Sequence, residues 1–258
     1  MNRRDFLKTA VAFVPGAAIA QTALPPKARI ASSVALWTLK GTLEAKLEIA
    51  ARAGVQSVDL NSERDGWPDT GAERVKKLCR SFDLDIDCIS GTFGSGDRVD
   101  LLGHLREALA TARELEAPRI AFAGKPVTES AKRAADLAAQ AGVTVLLKPR
   151  NLSEGCRMVR EVDNPHFQLA PGIYDAQADD GAWMESFTQA IPYTAVIRIA
   201  DAPGRIEPGA GKLDFPAIYK AIMKSGFQGC LCMEYFPAGD PVASLIRSFN
   251  AFRAATAA

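Results

Sequence analysis

Glu129–Lys148 reads ESAKRAADLAAQAGVTVLLK, and three kinds of structure follow one another within it. From Glu129 to Ala141 the apolar residues recur at helical spacing. Gly142 stands where a helix needs a left-handed C-cap. Thr144–Lys148 is then a short apolar run of strand length. A helix returned into a buried strand through one glycine is half of a strand–helix–strand unit, because parallel strands need a long crossover.

The same arrangement recurs along the chain, at Ala53-Gly54-Val55 and at Ser225-Gly226-Phe227. Strands are expected over Ile30–Trp37, Ser57–Asn61, Asp85–Ser90, Arg119–Ala123, Thr144–Lys148, Gln168–Ile173, Thr194–Ala200 and Gly229–Tyr235. Helices are expected over Leu43–Ala53, Ala72–Phe82, Leu101–Leu115, Glu129–Ala141, Ser153–Val162, Gly181–Ala190, Phe215–Ser225 and Pro241–Ala254. Eight of each in about 240 residues is what a single-domain (β/α)8 TIM barrel requires. An open doubly wound sheet would carry a glycine-rich dinucleotide turn after its first strand. Val34–Gly41 contains no such turn.

The first residues read differently. Arg3-Arg4 in NRRDFLK form a twin-arginine pattern, Thr9–Ala20 is an apolar stretch too short to span a bilayer, and Ala18-Ile19-Ala20 is an A-x-A cleavage signal. The expected organisation is therefore a twin-arginine signal peptide over 1–20, a linker over 21–28 that contains Pro25-Pro26, and the barrel over 29–258. This implies folding in a bacterial cytoplasm, passage through the twin-arginine export machinery and residence in the periplasm. No later stretch has the roughly 18 consecutive apolar residues of a membrane span.

Without residues 1–20 the chain loses Arg3, Arg4, Lys8 and Asp5, so its 31 basic and 30 acidic residues become 28 and 29. A net charge near −1 excludes the basic excess of a nucleic-acid or anionic-membrane binder. The five cysteines, Cys79, Cys88, Cys156, Cys230 and Cys232, are odd in number and lack framework spacing, so at least one thiol stays free.

Barrels of this kind build their sites at the C-terminal ends of the strands. That rule selects Trp37, Asp59, Asn61, Ser90, Thr92, Lys148, Gly172, Asp175, Arg198, Asp201 and Glu234 before any relative is considered.

Ala200-Asp201-Ala202-Pro203-Gly204-Arg205-Ile206-Glu207-Pro208-Gly209-Ala210-Gly211 closely resembles the I-A-D-x-P-G-R-x-E-P-G-x-G segment of hydroxypyruvate isomerase-like proteins. These belong to the sugar isomerase/epimerase superfamily with xylose isomerase-like barrels. The likeness continues through Leu213-Asp214-Phe215-Pro216 and Gly229–Tyr235, and upstream through Leu36–Lys40 and Leu115–Arg119. The resemblance implies two glutamates, ending strands 5 and 8, that move a proton between adjacent carbons of an α-hydroxy carbonyl sugar. It also implies a divalent metal completed by an aspartate on strand 6 and a histidine or glutamine on strand 7.

Of the four positions implied for metal and proton transfer only the strand-8 glutamate survives, as Glu234, while Arg205 is retained in the loop after strand 7, where the resemblance implies an arginine near the substrate oxygens. The other three positions read Lys148, Gly172 and Arg198, and the histidine of the strand-6 run is replaced by Asp175. Two cations and one carboxylate repel a divalent metal, so no metal site is expected. Glu234 and Lys148 are the candidate catalytic residues, the lysine either as a neutral amine or as a cation standing in for the metal. Arg198, Arg205, Trp37 and Asp175 are the candidate substrate-binding residues. Alternatives are that Glu234 only pairs with Lys148 and Arg198, and that Arg205 stiffens its loop through Glu207. Cys230 and Cys232 alternate with Glu234 and are read as small packing residues of the barrel interior.

Three functions follow. The first is an isomerase- or epimerase-type protein acting without metal on a small α-hydroxy carbonyl or sugar acid. The second is a non-catalytic periplasmic pseudoenzyme that binds an anionic sugar. The third is a metal-dependent isomerase with ligands relocated to Asp175, Asp201 and Glu234.

Overall fold

The computed structural model describes residues 30–62, 64–91, 101–177 and 182–257. The expected signal peptide, the linker, the start of the barrel region and Thr92 lie outside these residues. Eight strands build one parallel sheet: β1 (Ala31–Ala35), β2 (Ser57–Asn61), β3 (Asp85–Ser90), β4 (Arg119–Ala123), β5 (Thr144–Lys148), β6 (Phe167–Leu169), β7 (Val196–Ile199) and β8 (Cys230–Met233). Their order is β6-β5-β4-β3-β2-β1-β8-β7. The two ends of this row meet. Leu169 bridges Thr194 and Gly172 bridges Arg198, both in parallel sense. The Arg198 N–H donates to the Pro171 carbonyl at 2.8 Å and the Ala195 N–H to that of Leu169 at 3.0 Å. The sheet therefore closes, as a (β/α)8 barrel does.

Helices α1 (Leu43–Arg52), α2 (Ala72–Ser81), α3 (Leu101–Leu115), α4 (Thr128–Ala141), α5 (Leu152–Val162), α6 (Ile173–Ala176), α7 (Trp183–Ala190), α8 (Phe215–Lys224) and α9 (Pro241–Ala257) link the strands and follow the last of them. Their ends follow from local chemistry. Asn151 caps α5 by accepting the Glu154 N–H at 2.8 Å, and Asp214 caps α8 by accepting that of Ala217 at 3.0 Å. Gly142 ends α4 with φ of 69°, the left-handed turn expected of it.

Strand 6 departs from expectation. The ladder stops at Leu169, and the chain from Ile173 to Ala176 is a helical turn rather than strand. Pro171 has no N–H to offer a ladder, which ends the strand early. Asp175 thereby rides on the first turn of α6.

Alternate strand residues face opposite layers. Val34, Val58, Ile89, Ile120, Val145, Ile197 and Leu231 join the large core under the helices. Ala35, Cys88, Ala121, Leu146, Ala170, Val196, Cys230 and Cys232 fill the barrel itself. Such interiors commonly use bulky branched residues. Here small ones dominate because a long side chain takes the space: Arg198 is the largest of the fully buried side chains. All five cysteines are buried and unpaired. Burial pushes the Cys79 thiol up to about 11, and those of Cys230 and Cys232 well above their ordinary value. Buried thiols held this high serve as small packing groups.

Gly229, which leads into β8, lies tightly against the residue that leads into β7. A Cβ there would lie 2.2 Å from the Ala195 carbonyl oxygen and 2.4 Å from the Phe227 ring. That carbonyl accepts the Cys230 N–H and cannot move away freely. Gly229→Ala is expected to cost about 1–3 kcal/mol, and to lower the melting midpoint by several degrees. An unchanged midpoint in a thermal melt would show that β7 and β8 are not packed this tightly.

Candidate active site at the barrel mouth

The strand ends place Asp59, Arg198 and Glu234 in one buried layer above the small interior residues. Arg198 reaches across from β7. Its guanidinium donates to Asp59 Oδ2 at 2.5 Å and to Glu234 Oε1 at 3.3 Å. The other oxygen of Asp59 accepts the Ser90 hydroxyl at 2.9 Å. A guanidinium this deep costs several kcal/mol in lost hydration unless carboxylates meet it. Burial pushes its pKa down, and Asp59 and Glu234 outweigh this and hold it well above the ordinary value. Its side chain is 0% exposed, so Arg198 anchors the layer and presents no surface to a ligand.

A second layer lies nearer solvent. Lys148 Nζ donates to Glu234 Oε1 at 2.9 Å, and the Arg205 guanidinium donates to Glu234 Oε2 at 3.4 Å and to Asp175 Oδ1 at 2.5 Å. Arg205 also stacks over Tyr174, 4.5 Å from the ring centre. Asp175 occupies the room that Gly172 leaves: a Cβ on Gly172 would lie 2.6 Å from Asp175 Oδ2. Trp37 packs on the interior cluster and meets Phe236 edge-on, with ring centres 5.5 Å apart, forming one wall of the mouth.

The loop that carries Arg205 is organised by Asp201. Its carboxylate accepts four backbone N–H groups, from Ala202, Gly209, Gly211 and Leu213, at 2.7–3.1 Å. The alternative of a link from Arg205 to Glu207 is not realised, since Arg205 pairs with Glu234 and Asp175. Glu207 instead holds Arg247, through two bonds of 2.8 Å, and the Ser244 hydroxyl.

The expected positive cluster is thus corrected. Lys148, Arg198 and Arg205 meet Asp59, Asp175 and Glu234, and the six charges cancel. Asp59 was among the strand ends but nothing marked it as the partner of Arg198, 139 positions away. Only closure of the barrel joins them. Of the two histidines, His166 lies at the start of β6, away from the mouth, against the Val143 carbonyl at 2.7 Å. His104 lies on α3.

The divalent metal implied by the resemblance does not suit these residues. Such an ion needs unshared oxygen or imidazole donors. Of the four strand-end positions only Glu234 offers a carboxylate, and both its oxygens already accept from cations. The relocated set fares no better, since Asp201 is spent on backbone N–H groups and Asp175 on Arg205.

Burial pushes the Glu234 carboxyl up, but Lys148, Arg198 and Arg205 together outweigh this and hold it at about 2, against an ordinary 4.5. Its folded value lies below its unfolded one, so the stabilisation is complete above about pH 4.5 and fades as pH falls toward 2. Glu234→Gln is expected to cost on the order of 3 kcal/mol at pH 7. The gap from the unaltered protein should narrow steadily below pH 4.5. Urea midpoints at pH 7, 4 and 3 measure it, and a gap independent of pH would rule out the carboxylate charge as its source.

A provisionally named hydroxypyruvate isomerase of Mus musculus is 26% identical over 252 residues, covering 80% of this chain and 89% of that one. The 2-oxo-tetronate isomerase of Cupriavidus necator is 28% identical over 123 residues, 43% of this chain and 47% of its own. Among solved structures, an L-ribulose 3-epimerase superposes with a TM-score of 0.71 at 19% identity, over 89% of this chain and 95% of that one, a likeness of fold. The family model of the xylose isomerase-like TIM barrel matches residues 47–254, most of the barrel and all of its mouth-forming strands from β2 onward, and the chain belongs to that family.

Proposed function

We propose that this protein is an isomerase- or epimerase-type barrel that takes a small α-hydroxy carbonyl or sugar acid at its mouth and works there without a divalent metal. The observation that carries the reading is the ion-pair lattice in which Lys148 and Arg205 both donate to Glu234 from the solvent side. The relatives named as isomerases of small hydroxy-oxo acids support the substrate class.

The chemistry divides among the residues by depth. Arg198, with Asp59 behind it, fixes the position of Glu234. Lys148 and Arg205 are 23% and 22% exposed and offer N–H donors to a ligand carbonyl or hydroxyl. Donors aimed at a carbonyl oxygen stabilise the enediolate that forms when the adjacent carbon loses its proton. As Lys148 and Arg205 turn to the ligand, Glu234 accepts that proton and returns it to the neighbouring carbon, while the hydroxyl proton passes from one ligand oxygen to the other, which leaves an isomer of the starting compound. A carboxylate held at about 2 is a weak base at neutral pH. Ligand oxygens that share Lys148 and Arg205 loosen their hold on Glu234 and raise its basicity, so the site becomes active as it fills. Trp37 bounds the pocket, and Asp175 keeps Arg205 in place. Twin-arginine export to the periplasm is part of the proposal and rests on Arg3, Arg4 and the apolar stretch after them.

One observation favours a second reading, a pseudoenzyme that holds the sugar without turning it over. All three cations hold Glu234, and β5 ends in Lys148 rather than in a second carboxylate.

Thermal melting with small sugars and sugar acids, each with and without Mn²⁺, tests the shared premise. A bound ligand raises the midpoint by mass action. A sugar acid or hydroxy ketone should raise it by several degrees, with or without Mn²⁺. A rise from Mn²⁺ alone that Glu234→Gln abolishes would overturn the metal-free site. Incubating the stabilising ligand in heavy water separates the two readings: deuterium at its α-carbon, lost in Glu234→Gln, marks the enzyme, and its absence marks the binding protein.

A further inference from the structure

On the rim of the mouth, Arg64 is held in a built position. The loop after β2 is pinned by the Asp65 carboxylate, whose side chain is 0% exposed. It accepts the Asn61 N–H at 2.9 Å and the Lys46 ammonium at 2.7 Å. The Asn61 side-chain oxygen in turn accepts the Arg64 N–H at 3.0 Å. The Arg64 backbone is thus fixed at the end of β2. Its guanidinium lies over Trp37, 4.4 Å from the ring centre. Trp37 packs on the interior cluster and touches Phe236, whose N–H donates to the Arg205 carbonyl at 2.8 Å. Arg64 is therefore joined through one indole to the wall of the site.

Charge gives this position its meaning. The inner cations Lys148, Arg198 and Arg205 are each matched by Asp59, Asp175 or Glu234. An anionic group placed among them would compete with those carboxylates for the same donors and add a charge to a neutral set. Arg64 is exposed, and among the described residues no carboxylate pairs with it. A guanidinium stacked on an aromatic face keeps its edge donors free and its plane oriented, which suits bidentate capture of a carboxylate.

We infer that Arg64, stacked on Trp37, is the acid-recognition residue of this barrel, so that its ligands are hydroxy-oxo acids rather than neutral ketoses. The carboxylate of the ligand lies at the rim on Arg64, and its carbonyl and hydroxyl oxygens point inward to Lys148 and Arg205. This rests on the proposed function and narrows its substrate class.

Hydroxypyruvate and dihydroxyacetone form the test pair, since they differ by a carboxylate in place of a hydroxymethyl group. Titration calorimetry of both with the mature protein, with Arg64→Gln and with Arg64→Lys gives the affinity ratio directly. The unaltered protein should prefer the acid by about tenfold or more, as one charged bidentate contact provides. Arg64→Gln should bring the ratio close to one. Arg64→Lys, which keeps the charge but not the planar fork, should fall between. A ratio that Arg64→Gln leaves intact, with both compounds binding, would overturn the assignment and leave the metal-free site standing. Failure of the unaltered protein to bind either compound would overturn the proposed function, and the assignment of Arg64 with it.

Discussion

A guanidinium with no exposed surface lies across the top of the barrel, and much of the structure is arranged to tolerate it. Arg198 needs two carboxylates within hydrogen-bonding distance, because a buried cation left unpaired is strongly destabilising. Asp59 and Glu234 supply them from strands on either side of β1. It also needs volume, and the alanines and cysteines lining the interior give up theirs. The Ser90 hydroxyl completes the account by occupying the second oxygen of Asp59.

Glu234 inherits two roles from this arrangement. It is a counter-ion that keeps Arg198 charged, and it is the carboxylate that Lys148 and Arg205 both hold from the side of the mouth. The first role makes it a strong acid, and the second asks it to be a base. A single group can serve both only if its outer partners are exchangeable while its inner partner is not. The burial gradient provides that difference, from Arg198 with no exposed side-chain surface to Lys148 and Arg205 with about a fifth of theirs open.

Most of the architecture was legible in the sequence because helix-to-strand returns such as Ala141-Gly142-Val143 obey local rules. Seven of the eight strands were foreseen to within about two residues, and β6 failed where Pro171 overrode an apolar run. The identity of the mouth residues was legible too, since Lys148, Arg198 and Glu234 end their strands. Their pairing was not. Nothing local connects Asp59 with Arg198, or shows that Asp175 would fill the space beside Gly172. The number of cations could be counted in advance, but not the number of carboxylates folded against them.

The interlocked charges also constrain how such a site can change over generations. Placing a carboxylate at Arg198 would put three anions into one buried layer and remove the cation that holds them together. An acidic residue at Gly172 would collide with Asp175. Replacing Lys148 by glutamate alone would give Glu234 a neighbour of its own sign. Each single step toward a metal-binding mouth passes through a less stable protein, and only a concerted set of substitutions avoids it. The pairs that make the lattice stable therefore also make each of its charges hard to exchange one at a time.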